Sequence, residues 1–273
     1  MDTPRIAFIG AGNMASSIIG GLVESGHPPQ DISVADPYPP SLEKLCAIAA
    51  VRVCQSNEAA VDGADVVVLA VKPQVMVEAI SSIARAIAAS GAVLMSIAAG
   101  VTIASMQSRL SAPAAIVRCM PNTPALLGCG ASALYANEHT SEQQRGYAQG
   151  ILSSVGMAIW VDDEALLEAV TALSGSGPAY FFLFMEAMIA AGVELGLDSQ
   201  AATQLTHQTA LGAARMAMEN DVPLAELRRR VTSPGGTTQS AVENFQDNNL
   251  NIIVAQAMQA AANRAAQMAE ETG

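Results

Sequence analysis

Between Val231 and Val242 the chain reads VTSPGGTTQSAV, which sets the hydroxyls of Ser233, Thr237 and Thr238 beside the bare backbone of Gly235 and Gly236. Donors gathered in this way at the start of a helix bind small anions, because the first amides of a helix lack internal partners and the dipole favours negative charge. Ser233 is expected to be the N-cap, and Pro234 sits where no amide donor is needed. Gly235 and Gly236 would leave amides open to a small acid. An ordinary capped turn would use the same residues, so this stretch alone does not decide the matter.

A second candidate anion site lies at the other end of the chain. In RIAFIGAGNMASSIIGGL, from Arg5 to Leu22, an apolar run (Ile6 to Ile9) suits a buried strand, and Ile18, Ile19 and Leu22 continue at helical spacing. Between them Gly10, Gly12 and Ala15 make the G-x-G-x-x-A pattern of a dinucleotide loop. Gly10 permits the tight turn, Gly12 lets a pyrophosphate approach the backbone, and Ala15 lets the helix lie close to the strand. Asn13 and Met14 open that helix. A second strand ends at Asp36, where an acidic group accepts hydrogen bonds from ribose hydroxyls.

These sites need elements to position them. Apolar runs predict strands near residues 5–10, 31–35, 51–53, 65–71, 92–97, 115–119, 131–136 and 156–161, alternating with helices, the pattern of a doubly wound sheet. The run Val66 to Val71 carries no polar alternation, as a central parallel strand buried on both faces requires. Beyond Asp163 only helices are expected, over 165–173, 177–195, 199–219, 224–231, 237–245 and 249–270. Two domains follow, 1–163 for a dinucleotide and 164–273 for a helical unit, in keeping with a length of 273 residues. The uncharged stretch Ala86 to Ser108 is long enough to span a bilayer, but Ser90, Gly91 and Gly100 break it into a helix end, a strand and a loop.

Three loops fall at carboxyl ends of predicted strands, where open parallel sheets bind ligands. Ala70, Val71, Lys72 and Pro73 form the first; Ala98, Ala99 and Gly100 offer backbone with little side chain in the second. In the third, Met120, Pro121 and Asn122 belong to a proline-stiffened MPNTP segment that would also serve as a plain structural turn.

Composition limits the partners. The formal net charge of -12 disfavours nucleic acid and anionic membranes, so anionic ligands must be held by local amides and dipoles. Cys46, Cys54, Cys119 and Cys129 lack metal-ligand or disulfide spacing, so no metal is expected and reduced, mostly buried thiols are. The chain enters its first strand without the basic and apolar regions of a signal peptide, which predicts the cytoplasm. His27, His139 and His207 stand apart from the candidate sites. Phe181, Phe182, Phe184, Met185 and Met188 are expected to form core or a dimer seam.

FIGAGNMA, AVKP, SIAAGVT, RCMPNTPAL, SGSGPAY (Ser174 to Tyr180) and VTSPGGTT, taken in order along nearly the whole chain, resemble the pyrroline-5-carboxylate reductase family. The resemblance implies an N-terminal Rossmann-type domain for NAD(P)H and an all-α C-terminal dimerisation domain, with dimers assembling further into decamers. It implies hydride transfer to the C=N carbon of 1-pyrroline-5-carboxylate, giving L-proline. By the same match Ser233, Gly235, Gly236 and Thr237 receive the substrate carboxylate, and the Thr238 hydroxyl meets the ring nitrogen. Ser176, in a second capped helix start, lies beside nicotinamide and substrate, while Asn57 meets the adenosine end.

The cofactor signal is mixed. Asp36 would repel the 2'-phosphate of NADPH and no Arg follows it, so NADH is expected to serve at least as well; a turn role for Asp36 before Pro37 stays open. Two rival readings remain. A β-hydroxyacid-type dehydrogenase would need a Lys in the helix from Gly177, whereas the chain has only Lys44 and Lys72. A non-catalytic nucleotide-binding scaffold would keep the fold and lose the reaction.

Overall fold

A computed structural model describes residues 3–272. Its sheet has the order β3-β2-β1-β4-β5-β6-β7-β8. The strands are β1 (Ile6–Ile9), β2 (Ile32–Ala35), β3 (Arg52–Val53), β4 (Val66–Leu69), β5 (Val93–Ser96), β6 (Ile116–Met120), β7 (Gly130–Ala136) and β8 (Gly156–Trp160). Each lies within two residues of its predicted bounds. The chain order reverses between β1 and β4, so their carboxyl ends flank the topological switch point where such sheets bind ligands.

Alternation along the parallel strands feeds two cores. On one side Ile6 and Phe8 meet Ile18, Ile19 and Leu22 of α1 (Asn13–Glu24). α2 (Pro39–Ile48) covers the same face through Leu45. On the other side Ala7 and Ile9 meet Met76, Ala79, Ile80, Ile83 and Ile87, the i, i+3, i+4 face of α4 (Met76–Ser90), alongside α3 (Asn57–Val61). Each large apolar side chain buried here contributes about 1.5–3 kcal/mol. Val66, Val67, Val68 and Leu69 are fully buried, as a strand covered on both faces must be.

The sheet is not parallel throughout. β7 runs antiparallel to β6 and parallel to β8. A parallel return needs a crossover of about a dozen residues or more, and segment 121–129 holds only a 3-10 turn, Thr123–Leu127. The stretch 86–108 resolves as the end of α4, a left-handed Gly91 cap, β5 and a loop into α5 (Ile103–Gln107). α6 (Glu142–Ser153), opened by a reciprocal Ser141–Gln144 capping box, links β7 to β8.

Strands end at Trp160 and α7 (Leu166–Val170) follows, as predicted, but the compact units divide later. One comprises the residues up to Ser176 and those from Ala260 on; the other is Gly177–Gln259. The difference from a boundary at 163 has a physical cause. Leu167 and Ala172 are buried in the first unit, and Glu164 and Glu168 pair with Arg118 of β6.

The second unit holds α8 (Gly177–Glu194), α9 (Ser199–Met218), α10 (Leu224–Arg230) and α11 (Thr237–Asp247), with the first turns of α12 (Leu250–Thr272). It leaves much apolar surface uncovered: Phe181 is 70% exposed, Leu183 68% and Met218 85%. Helical residues Leu166–Glu194 are long and apolar enough to cross a membrane by length and composition, with 6% of the apolar window buried. The aromatic and Met cluster of α8 is therefore not core of this chain. The thiol expectation also needs correction, since only Cys119 is buried and Cys46 and Cys129 are exposed, on the outer side of α2 and in the loop before β7. Burial pushes the Cys119 thiol well up, so it stays protonated.

Candidate active site

The glycine loop after β1 is held from three directions. Gly10 adopts φ +102°, and a Cβ on it would stand 2.6 Å from the Ala70 carbonyl oxygen, so the tight turn and the close approach of the Ala70–Pro73 loop both require glycine. The Gly10 amide donates to Ala35 O at 2.8 Å, and the Ala11 amide donates to Asp36 Oδ2 at 2.7 Å. Gly12 is the N-cap of α1 and has no side-chain cap. Nothing stands within 4 Å of where its Cβ would be, and the first turn of α1 carries no acid. An open, unacidic helix mouth of this kind accepts a pyrophosphate. Asn13 is exposed and Met14 half-buried beside it.

Asp36 does two things at once. Its Oδ1 accepts from the Tyr38 amide at 2.7 Å, closing the turn over Pro37, while Oδ2 holds the glycine loop. The turn reading and the dinucleotide reading are thus compatible, because each carboxylate oxygen keeps a further acceptor site.

Around the switch point, Lys72 is exposed at the start of the Pro73–Val75 turn and forms no ion pair among the described residues. Ala98 and Gly100 are buried; Gly100 has φ +74°, and a Cβ on it would meet Met268 Cβ of α12 at 3.0 Å. The buried Asn122 is used structurally: its Nδ2 donates to Ser174 O at 2.9 Å and its Oδ1 accepts from the Ala131 amide at 2.8 Å. Asn57 donates to Ser82 Oγ at 3.0 Å.

Sequence reasoning missed a buried ionic cluster beneath these loops. Arg118 Nη1 lies 3.0 Å from Glu164 Oε1 and 3.5 Å from Glu168 Oε1, and Glu164 Oε1 also accepts from the Ile103 amide at 2.9 Å. It ties β6 and the exit of the 98–102 loop to the start of α7. An Arg inside an otherwise apolar strand was the available signal. Next to it, residues Thr171–Gly175 form a π turn. The Ser176 amide donates to Thr171 O at 2.8 Å, with helical backbone angles at Ser176. Ser176 is thus not the cap of a fresh helix, contrary to expectation; a wide turn takes the place of a capped break, a feature frequent at functional sites.

In the second unit Pro234 and Gly235 occupy the centre of a turn, closed by the Gly236 amide donating to Ser233 O at 3.0 Å, with Gly235 at φ +68°. This is the type II arrangement that Pro followed by Gly favours. It moves the helix start, so the N-cap is Gly236 and not Ser233. The Gly235 amide is also not free, since Gln239 Oε1 accepts from it at 2.7 Å. Among the described residues nothing accepts from the hydroxyls of Ser233, Thr237 and Thr238 or from the amides of Thr237 and Thr238. Nearby, Glu226 takes Arg229 (2.7 and 2.8 Å) and Arg230 (2.9 Å), which holds its carboxyl at about 2, chiefly through the Arg229 hydrogen bonds and then those of Arg230. Among the described residues Arg228 has no ion pair, and it lines a cavity of about 390 Å³ with Thr232, Pro234 and Gln239.

A doubly wound sheet with a dinucleotide-ready loop, followed by a helical unit with uncovered apolar faces, defines a class: nicotinamide-dependent oxidoreductases with a dimerising C-terminal domain. Residues 5–100 match the family described as NADP oxidoreductase, coenzyme F420-dependent, and residues 164–268 match pyrroline-5-carboxylate reductase dimerisation. The dimerisation match covers the whole of the apolar Leu166–Glu194 span. The chain is 54% identical to the pyrroline-5-carboxylate reductase of Pseudomonas aeruginosa over the full length of both, and 45% identical to that of Haemophilus influenzae over 98% of each. Among solved structures, the pyrroline-5-carboxylate reductase of Coxiella burnetii superposes with a TM-score of 0.94 at 41% identity, covering 98% of this chain and 99% of that one. The Plasmodium falciparum enzyme, solved with NADP bound, gives 0.86 at 28% identity with the same coverage. The chain belongs to the pyrroline-5-carboxylate reductase family.

Proposed function

We infer that this chain reduces the C=N bond of 1-pyrroline-5-carboxylate to give L-proline, the last step of proline synthesis. The observation that carries this reading is the PGG turn with its unpartnered hydroxyls and amides at Ser233, Thr237 and Thr238, in a chain whose other helix mouth suits a dinucleotide. Gly10, Gly12, Asn13 and Met14 would hold the pyrophosphate, Asn57 the adenosine end, and Ala70–Pro73, Ala98–Gly100 and Met120–Asn122 the reactive half of the cofactor. The cofactor, when bound, supplies the hydride.

The protein's own part is positional. Ser233, Gly235, Gly236 and Thr237 receive the carboxylate through hydroxyl and amide donors, helped by the dipole of α11. The Thr238 hydroxyl meets the ring nitrogen and orients the imine or relays its proton, and Ser176 flanks the ring. Hydride adds to the imine carbon and the protonated nitrogen becomes the secondary amine, so little covalent work falls to side chains beyond alignment.

We assign NADH a place at least equal to NADPH, because Asp36 sets a negative charge beside the glycine loop where a 2'-phosphate would lie. Assembly proceeds through the C-terminal helices to a dimer and onward to a decamer, in the cytoplasm. Purified protein assayed with pyrroline-5-carboxylate and each cofactor tests the reading: reduction is expected with both, and none with either overturns it. Thr238→Ala is expected to lower kcat by about 100-fold, the lower end for a positioned proton-transfer group, while dinucleotide affinity stays within about twofold. Unchanged kcat would remove Thr238 from the mechanism.

A further inference from the structure

Gln239, in the first turn of α11, is fixed at both ends of its amide. Oε1 accepts from the Gly235 amide at 2.7 Å, and Nε2 donates to Glu243 Oε1 at 2.6 Å. The hydroxyls of Ser233, Thr237 and Thr238 and the amides of Thr237 and Thr238 have no partner among the described residues. Two amides of the set are therefore already answered from within the chain, that of Gly236 by Ser233 O as part of the turn itself and that of Gly235 by a side-chain oxygen able to swing away.

We propose that Gln239 is an internal stand-in for the substrate carboxylate, occupying the Gly235 amide in the free protein and giving it up when the acid binds. This rests on the function proposed above, in which that amide is one of the carboxylate donors. A carboxylate oxygen accepts roughly twice as strongly as a neutral amide oxygen, so an acid can displace Gln239. A ring without the carboxylate offers nothing in exchange, and the Gly235 amide would lose its partner if Gln239 moved. The side chain thus opposes every ligand slightly and neutral ligands most. Glu243 sharpens the effect by holding the far end of the same amide, which limits how far Oε1 swings when released.

The competing description is local. A Gln in the first helical turn reaching back to the amide one residue before the N-cap resembles the return half of a capping box displaced by one residue, and such a contact merely orders the turn. The two descriptions predict opposite signs. If Gln239 competes with the acid, removing its oxygen tightens binding; if it only orders the turn, removing it loosens binding.

The experiment uses the full-length protein carrying Gln239→Ala and, separately, Gln239→Met, which keeps side-chain length and helix preference while losing the acceptor. L-proline affinity is measured by calorimetry and KM for pyrroline-5-carboxylate by steady-state assay. Both constants are expected to fall roughly three- to tenfold, the factor matching a net hydrogen bond of about 0.7–1.4 kcal/mol. Unchanged or raised constants in a folded variant overturn the proposal. Ser233→Ala separates this failure from that of the underlying function. If Ser233→Ala weakens binding but the Gln239 variants do not tighten it, only the stand-in role fails. If Ser233→Ala also changes nothing, the loop is not the carboxylate site.

Discussion

The two helix mouths of this chain use the same small residues and differ in what holds them. The loop into α1 is embedded: Ile9 before it and Ala15 after it are buried, and a carboxylate from a neighbouring strand fixes its Ala11 amide. The loop into α11 is exposed, α11 buries none of its residues, and its brace is a neutral side chain from its own first turn. A mouth fixed by the sheet is ready for a ligand before it arrives. A mouth fixed only by its own turn is adjustable, which would suit the smaller, reacting ligand proposed for it.

The sharpest way to break this contrast is a pair of glycine substitutions. Gly10→Ala places a Cβ 2.6 Å from a backbone oxygen at φ +102°, and neither can yield cheaply. We expect a loss of about 3 kcal/mol or more in denaturant unfolding, together with loss of dinucleotide binding. Gly235→Ala meets open space, so only the strain of φ +68° remains, about 1 kcal/mol. Equal losses at the two positions would show that the mouths are held alike.

Asp36→Ser addresses the brace. The NADPH to NADH ratio of kcat/KM should rise roughly tenfold, equivalent to about 1.4 kcal/mol. KM for both should also increase, because the Ala11 and Tyr38 amides lose a charged acceptor. A fixed ratio would show that Asp36 shapes the loop without reading the ribose. The smallest effect belongs to Glu226→Gln. With its carboxyl held at about 2, Glu226 contributes its full stability above the ordinary carboxylate range and loses it as pH falls from there through about 2, so near-neutral assay pH does not free Arg229 and Arg230. The substitution frees them, and KM for the acid should fall about twofold at low salt and converge with wild type at high salt. A salt-independent difference would exclude steering.

Much of this was legible in the residues. Strands such as Val66–Leu69 announce themselves because a strand buried on both faces has no polar positions, and Gly10, Gly12 and Ala15 sit where steric need alone places small residues. The direction of β7 was available from the shortness of 121–129. The later unit boundary was not, since it depends on Arg118 meeting Glu164 and Glu168 across a long sequence separation. At the second mouth the sequence pointed to Ser233 as the N-cap, and the structure puts Gly236 there. A Pro-Gly turn closes before the helix begins, and the side chain that completes it, Gln239, reads from sequence as an ordinary surface residue.

The close approach of Met268 to Gly100 makes the end of the polypeptide a wall of a loop that precedes it by more than half the chain. Trimming the last turns of α12, or fusing an affinity handle there, would disturb the Ala98–Gly100 backbone directly. With the cofactor role proposed above for that loop, assays of cofactor use would register such a change, and handles are better carried elsewhere.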